Sequence, residues 1–166
     1  MKISSLSELK KELQQLPAED LVDLCVALAK YKKDNKEYLD YLLYSAHSKP
    51  DFIKEVKSEI GLYFSDIDRQ ANLYFIKKNL RKILRVLNKY CKYLGDKPSA
   101  LELHLYYCKM LKDSGIPFRK SQMIVNLYEQ ELKKINTLLS GIHEDLRADY
   151  TGEIEALTSY QNPWKD

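Results

Sequence analysis

The chain has 166 residues, of which 31% are charged and 45% hydrophobic, with five glycines and five prolines. That length suffices for a domain with a genuine core, and so few glycines and prolines exclude an all-β chain full of turns. The net charge of +3 is unevenly spread: residues 1–60 carry ten basic and eleven acidic groups, residues 61–97 nine and three, and residues 98–166 eight and ten.

Abundant Leu, Lys and Glu favour helix. Ser5 and Glu8 have the spacing of a capping box, in which side chain and backbone satisfy each other's orphan groups. Leu6, Leu9, Leu13 and Leu16 follow at helical spacing, so a first helix is predicted to about Leu16. Pro17 breaks it and opens a second, with Glu19 and Asp20 favourably placed at the positive end of the helix dipole. Leu21, Leu24, Cys25, Leu28 and Ala29 form its expected buried stripe. Asp34 or Asn35 is predicted to cap a third helix ending near Ser48, and Pro50 opens a fourth with Phe52, Ile53, Val56, Ile60, Tyr63 and Phe64 on its apolar face. Gly61 is a mild weak point in it.

The fifth predicted helix, over 69–94, is the most distinctive. Lys77, Lys78, Arg81, Lys82, Arg85, Lys89 and Lys92 fall within an arc of about 140° at helical spacing, and no acidic residue lies between Arg69 and Gly95. Leu73, Ile76, Leu80, Ile83, Leu84, Leu87, Tyr90, Cys91 and Leu94 occupy about 120° on the opposite side. Gly95 and Pro98 punctuate the passage to helix six, glycine just past an end and proline just inside a beginning. Helix six, about 99–113, is apolar most of the way round and is therefore expected to be the most buried. Helix seven covers roughly 120–140. A weaker helix eight covers about 143–160, interrupted or kinked near Gly152, and Trp164 in the terminal tail is a candidate either to pack back on the domain or to be mobile.

No strand-like alternation occurs. The expected fold is all-α, about eight antiparallel helices in one domain over 1–160 with a tail at 161–166. It is arranged either as stacked helical hairpins in a HEAT- or armadillo-like right-handed superhelix or as an irregular bundle.

The run Leu9-Lys-Lys-Glu-Leu13, then Leu16, Leu21, Leu24 and Leu28, then Asn35-Lys-Glu-Tyr-Leu-Asp-Tyr-Leu42 resembles an uncharacterised family of short all-helical bacterial proteins, classed as a domain of unknown function. The resemblance covers the first fifty residues and departs at Pro17, where members of that family often carry serine. It implies an all-helical fold and a cytoplasmic setting, with no assigned activity and no site residues.

The basic face of helix five, with Tyr74 near its middle and Phe75 and Tyr93 at its flank, is the first candidate site. It could track a phosphate backbone, with the aromatic rings stacking on bases. Its alternatives are a solvated face or one paired with the acidic residues of helix eight, Glu144, Asp145, Asp149, Glu153 and Glu155. Tyr38, Tyr41 and Tyr44, with Tyr31 nearby, form a row suited to a half-wet interface or to a core boundary. His104 and Cys108, spaced i, i+4, have metal-ligand geometry but lie in an apolar surround, and are expected to be a buried histidine beside a core thiol. His143 with Glu144 and Asp145 reads as a helix start.

The three cysteines, Cys25, Cys91 and Cys108, lack motif spacing and are expected to be reduced core thiols in a cytoplasmic protein. The first residues do not read as a signal peptide, and no stretch is long and apolar enough for a membrane span. With glycines only at 61, 95, 115, 141 and 152, no phosphate-cradling loop is present, nor is any nucleophile elbow or metal motif. The resulting expectation is a non-enzymatic scaffold or adaptor domain with no cofactor and no metal. Its partner is another protein or a second copy, with nucleic acid on the basic face as the alternative and no membrane.

Overall fold

The computed structural model describes residues 3–159; the tail at 161–166, and with it Trp164, lies outside them. Eight α-helices are formed among the described residues: α1 (Leu6–Leu13), α2 (Ala18–Tyr31), α3 (Lys33–Asp40), α4 (Lys49–Ser65), α5 (Leu73–Leu94), α6 (Lys97–Asp113), α7 (Gln122–Ser140) and α8 (Glu144–Thr158). A π-helical turn, Tyr41–Ser45, continues α3, and a 3-10 turn, Phe118–Lys120, precedes α7. No strand occurs among these residues, so the fold is all-α. Where one domain over 1–160 was expected, the chain divides into two compact units, Met1–His47 and Ser48–Asp166.

In the first unit, Ser5 caps α1 as expected: its hydroxyl accepts from the Glu8 N–H at 3.3 Å, and Glu8 accepts from the Ser5 N–H at 2.7 Å. The bond from the Ser5 N–H, with a second donated by the Ser5 hydroxyl at 2.9 Å, holds the Glu8 carboxyl below its usual pKa. Pro17 stands at the N-cap of α2. Helix α3 starts earlier than predicted, at Lys33. Asn35 therefore lies inside its first turn, and its side-chain amide reaches back to donate to the Leu28 carbonyl at 2.9 Å, pinning α3 to α2. None of α1, α2 or α3 contains a fully buried residue. The stripe expected to be buried on α2 is only half-covered at Leu21 and Ala29, and Leu24, Cys25 and Leu28 are exposed.

The second unit has a true core. Helix α6 packs against α4, α5, α7 and α8, and is the centre of the unit. Of the two expected architectures, the irregular bundle describes this unit, because a helix apolar on nearly all sides must be enclosed on nearly all sides. Leu101, Leu103, His104, Tyr107, Cys108 and Leu111 of α6 are fully enclosed, against Ile60 of α4, Leu80, Ile83 and Leu87 of α5, and Ile124 and Ile135 of α7. Truncating any of these aliphatic side chains to alanine costs about 2–5 kcal/mol.

Two buried tyrosines stitch neighbouring helices through their hydroxyls. Tyr107 donates to the Leu80 carbonyl at 3.4 Å and Tyr128 to the Leu157 carbonyl at 3.1 Å. Helix α5 ends at Gly95, whose φ of 71° closes the C-cap in the left-handed region that glycine alone enters cheaply. Asp96 then caps α6, accepting from the Ser99 N–H at 2.8 Å while pairing with Lys49 of α4 at 2.6 Å. Gly61, read as a weak point, is where α4 lets α6 approach: a Cβ there would stand 3.3 Å from the Tyr106 hydroxyl. Helix α8 runs through Gly152 without the interruption that was one of the two expectations there.

Candidate interaction surfaces

The apolar surface of the N-terminal unit comes directly from the pattern of its helices. On α2, the polar residues Glu19, Asp20, Asp23 and Lys30 occupy a wedge of about 100°, and apolar residues fill an arc of about 220° around the rest. One neighbouring helix cannot cover so wide an arc. Val22 and Leu28 are each 61% exposed, on opposite flanks of α2, and Leu6 on α1 is 85% exposed. Leu9, Leu13, Leu24, Val26, Leu42 and Leu43 are exposed as well. Leu16, Tyr31, Tyr38 and Tyr44 are exposed too, so the unit shows large apolar side chains on more than one flank.

The tyrosine row predicted for this unit is divided. Tyr38 and Tyr44 are exposed, but Tyr41 is buried, its ring stacked on Tyr38 at 6.2 Å between centroids. A π-helical turn from Tyr41 to Ser45, closed by the Ala46 N–H donating to the Tyr41 carbonyl at 2.9 Å, separates Tyr44 from the other two. One extra residue per turn rotates the following side chains off the straight helical row. Cys25, expected in the core, is exposed, whereas Cys91 is half-buried and Cys108 buried. Burial pushes the Cys91 thiol up to about 11 and raises Cys108 too, the Glu131 carboxylate adding to both.

On α5 the predicted division of faces is present. Ile76, Leu80, Ile83, Leu84, Leu87 and Leu94 are buried. Lys78, Arg81, Lys82, Arg85 and Lys92 are exposed, and Lys77 and Lys89 are half-buried. The ammonium of Lys82 lies over the Tyr63 ring at 5.4 Å, and that of Lys89 over Tyr90 at 4.7 Å. Tyr74 and Phe75 are exposed at the start of the helix, packed edge to face at 5.6 Å. Among the described residues, the acidic last helix pairs with none of these cations; it packs on α6 and α7. Of the alternatives for this face, internal pairing with α8 is therefore not the one observed.

A cleft of about 450 Å³ opens between α4, α6 and α8 in the second unit. Leu105, Leu157 and Ala156 line its apolar part, and Tyr106 and Tyr150 its aromatic part. Two of its cations are engaged: Lys57 pairs with Glu102 at 2.7 Å, and Lys112 donates to the Ala156 carbonyl at 2.5 Å. The Tyr150 hydroxyl is raised by burial and by Glu102, Asp149 and Glu153 nearby. No spacing in the sequence signals this cleft, because its walls come from three helices.

His104 is fully enclosed, and its Nδ1 donates to the Glu131 carboxylate of α7 at 2.6 Å. Its Nε2 has no hydrogen-bond partner among the described residues. The buried histidine beside the Cys108 thiol is as expected, but Glu131, 27 positions away, was not singled out from the sequence. His143 caps α8, its ring accepting from the Asp145 N–H at 3.5 Å. Among the described residues, no group of three metal-ligating side chains converges, and no helix is long and apolar enough to cross a membrane. No family model, curated protein or solved structure matches this chain.

Proposed function

We propose that this protein works by binding, and that its N-terminal unit is a protein-interaction module that receives an amphipathic helix of a protein partner. The observation carrying this reading is that α1, α2 and α3 leave their leucines and valines open to solvent while α2 is apolar over more than half its circumference. A helix of that pattern reaches its free-energy minimum between neighbours, and at ~25 cal/mol per Å² an occupant covering its flanks gains substantially from burial.

The test is site-specific photo-crosslinking in intact cells, with the photoreactive residue at position 24 or 28 on α2, or at 78 or 85 on α5. The expected result is a discrete protein adduct from positions 24 and 28 that a Val22→Lys change removes. Adducts confined to 78 and 85, or none from α2, would overturn the reading.

A second reading is favoured by one observation, the exposure of the α5 basic face. Five of its cations are exposed, with Tyr74 and Phe75 beside them, which suits a single-stranded polyanion. If that face binds RNA or DNA, the Arg81→Glu, Arg85→Glu double variant lowers affinity and reduces the slope of log K against log salt by roughly 1.5–2. Fluorescence anisotropy with a labelled oligonucleotide reads both, and no binding at low salt removes this reading.

A further inference from the structure

We infer that the cleft between α4, α6 and α8 is a binding site for a small organic cation, an ammonium group carried on an aromatic or apolar body. The site lies wholly in the second unit and owes nothing to whatever the N-terminal unit receives. Helix α6 is enclosed on nearly all sides, and in this cleft its polar edge comes to the surface. Glu102, Tyr106, Lys109 and Asp113 recur at spacings of four, three and four and fall within about 60° of one another. On α8, Asp149, Tyr150, Glu153, Ala156 and Leu157 share an arc of about 120° facing them. The volume of about 450 Å³ is within the ~300–1,000 Å³ of pockets that take small molecules.

The chain's own Lys57 shows what these side chains accept. Its ammonium lies over the Tyr106 ring at 5.6 Å and pairs with the Glu102 carboxylate at 2.7 Å, so it gains from both the ring's electron-rich face and the opposite charge. On the facing wall, Tyr150 with Asp149 and Glu153 offers the same combination. Among the described residues, no cation lies over the Tyr150 ring and neither carboxylate is ion-paired. Arg147, the one cation of α8, is engaged by the Ser140 and Ile142 carbonyls at 2.9 and 3.0 Å. Burial raises the Tyr150 hydroxyl first, and Glu102, Asp149, Glu153 and Asp96 raise it further, so this end of the cleft is electronegative. The lysines do not reverse that sign. Lys57 is held by Glu102 and Lys112 by the Ala156 carbonyl, which sets Lys109 alone against Asp113, Asp149 and Glu153. Tyr150 is half-buried against the core and is therefore held in place before anything binds. Leu105 and Leu157 supply the apolar wall that receives the body of the ligand.

The experiment titrates the full chain, isotopically labelled for NMR, with three probes of similar shape: phenethylammonium, phenethyl alcohol and phenylacetate. The expected result is saturable shifts of cleft residues on α6 and α8 with phenethylammonium, at a dissociation constant on the order of 1 mM. The alcohol and the acetate bind roughly tenfold more weakly or worse. Asp149→Asn with Glu153→Gln, both at exposed positions, lowers the ammonium's affinity about fivefold and leaves the helicity unchanged. Tyr150→Leu keeps an apolar wall but removes the ring face, so it weakens the ammonium and leaves the alcohol within about twofold.

Equal or tighter binding of phenylacetate means that the lysines set the sign of the site, and overturns the assignment of a cation. Equal binding of the alcohol reduces the cleft to an apolar hollow and overturns it too. Shifts indifferent to the Asp149 and Glu153 changes place the cation elsewhere on the chain, and the absence of saturable shifts with all three probes leaves no small-molecule site; either result overturns the inference. None of these outcomes bears on the N-terminal unit.

Discussion

Inside the second unit, one polar pair sits in a largely apolar core. His104 and Glu131 join α6 to α7 through a single 2.6 Å bond, and the bond gives the histidine a fixed orientation in an apolar surround. Glu131→Ala would leave both imidazole nitrogens without a partner in the core, a loss on the order of 3–5 kcal/mol. Glu131→Gln keeps an acceptor at the same place and is expected to cost about 1 kcal/mol. Urea denaturation of the two variants checks the ordering, and equal effects would mean that packing, not the hydrogen bond, matters at this site. The His104 half of the pair was legible from its place on an all-round apolar helix. Glu131 was not, because on helical spacing alone it reads as an ordinary polar position.

At the scale of the element, the junction of α5 and α6 concentrates the local signals. Gly95 ends one helix in the left-handed region, and Asp96 begins the next while holding Lys49. Burial pushes the Asp96 carboxyl up, but its bonds from Lys49 and Ser99 outweigh that, and it lies below its usual value of 3.8. A depressed folded pKa means stability that is present above the unfolded pKa and is lost as pH falls through the folded one. Asp96→Ala is therefore expected to cost about 1–2 kcal/mol near neutral pH, with the gap from the parent closing below pH ~3.8. Thermal melts across that range read both numbers. The same element scale explains α8. Glycine costs about 1 kcal/mol inside a helix, but Tyr150, Ile154 and Leu157 pack on the core from both sides of Gly152 and hold the helix continuous.

For the whole molecule, the division at His47 and Ser48 separates a unit with a core from one without. The fragment Ser48–Asp166 is expected to unfold cooperatively with most of the parent's stability, since nearly all the fully buried side chains belong to it. The fragment Met1–His47, in which Tyr41 is the one buried side chain among the described residues, is expected to be weakly helical when dilute and to gain helix with concentration. Circular dichroism over a dilution series checks both. A concentration-independent, fully helical N-terminal fragment would show that its exposed leucines need no cover.

What the sequence by itself determined is local: helix type, most boundaries, the caps at Ser5 and Gly95, the two faces of α5, and the enclosure of α6. These follow from residue spacing and end chemistry within a window of about three turns, where the physics is that of a single helix. What only the tertiary structure decided is which apolar and charged faces find neighbours. The aliphatic stripes of α1 and α2 look like those of α4 and α7 in sequence, yet Leu24 and Leu28 are open and Ile60 and Ile124 are enclosed. The basic face of α5 looked matched to the acid of α8, yet α8 lies against α6 and α7. Burial is a property of packing between distant segments, and an amphipathic pattern states only that a face needs a neighbour, not which chain supplies it.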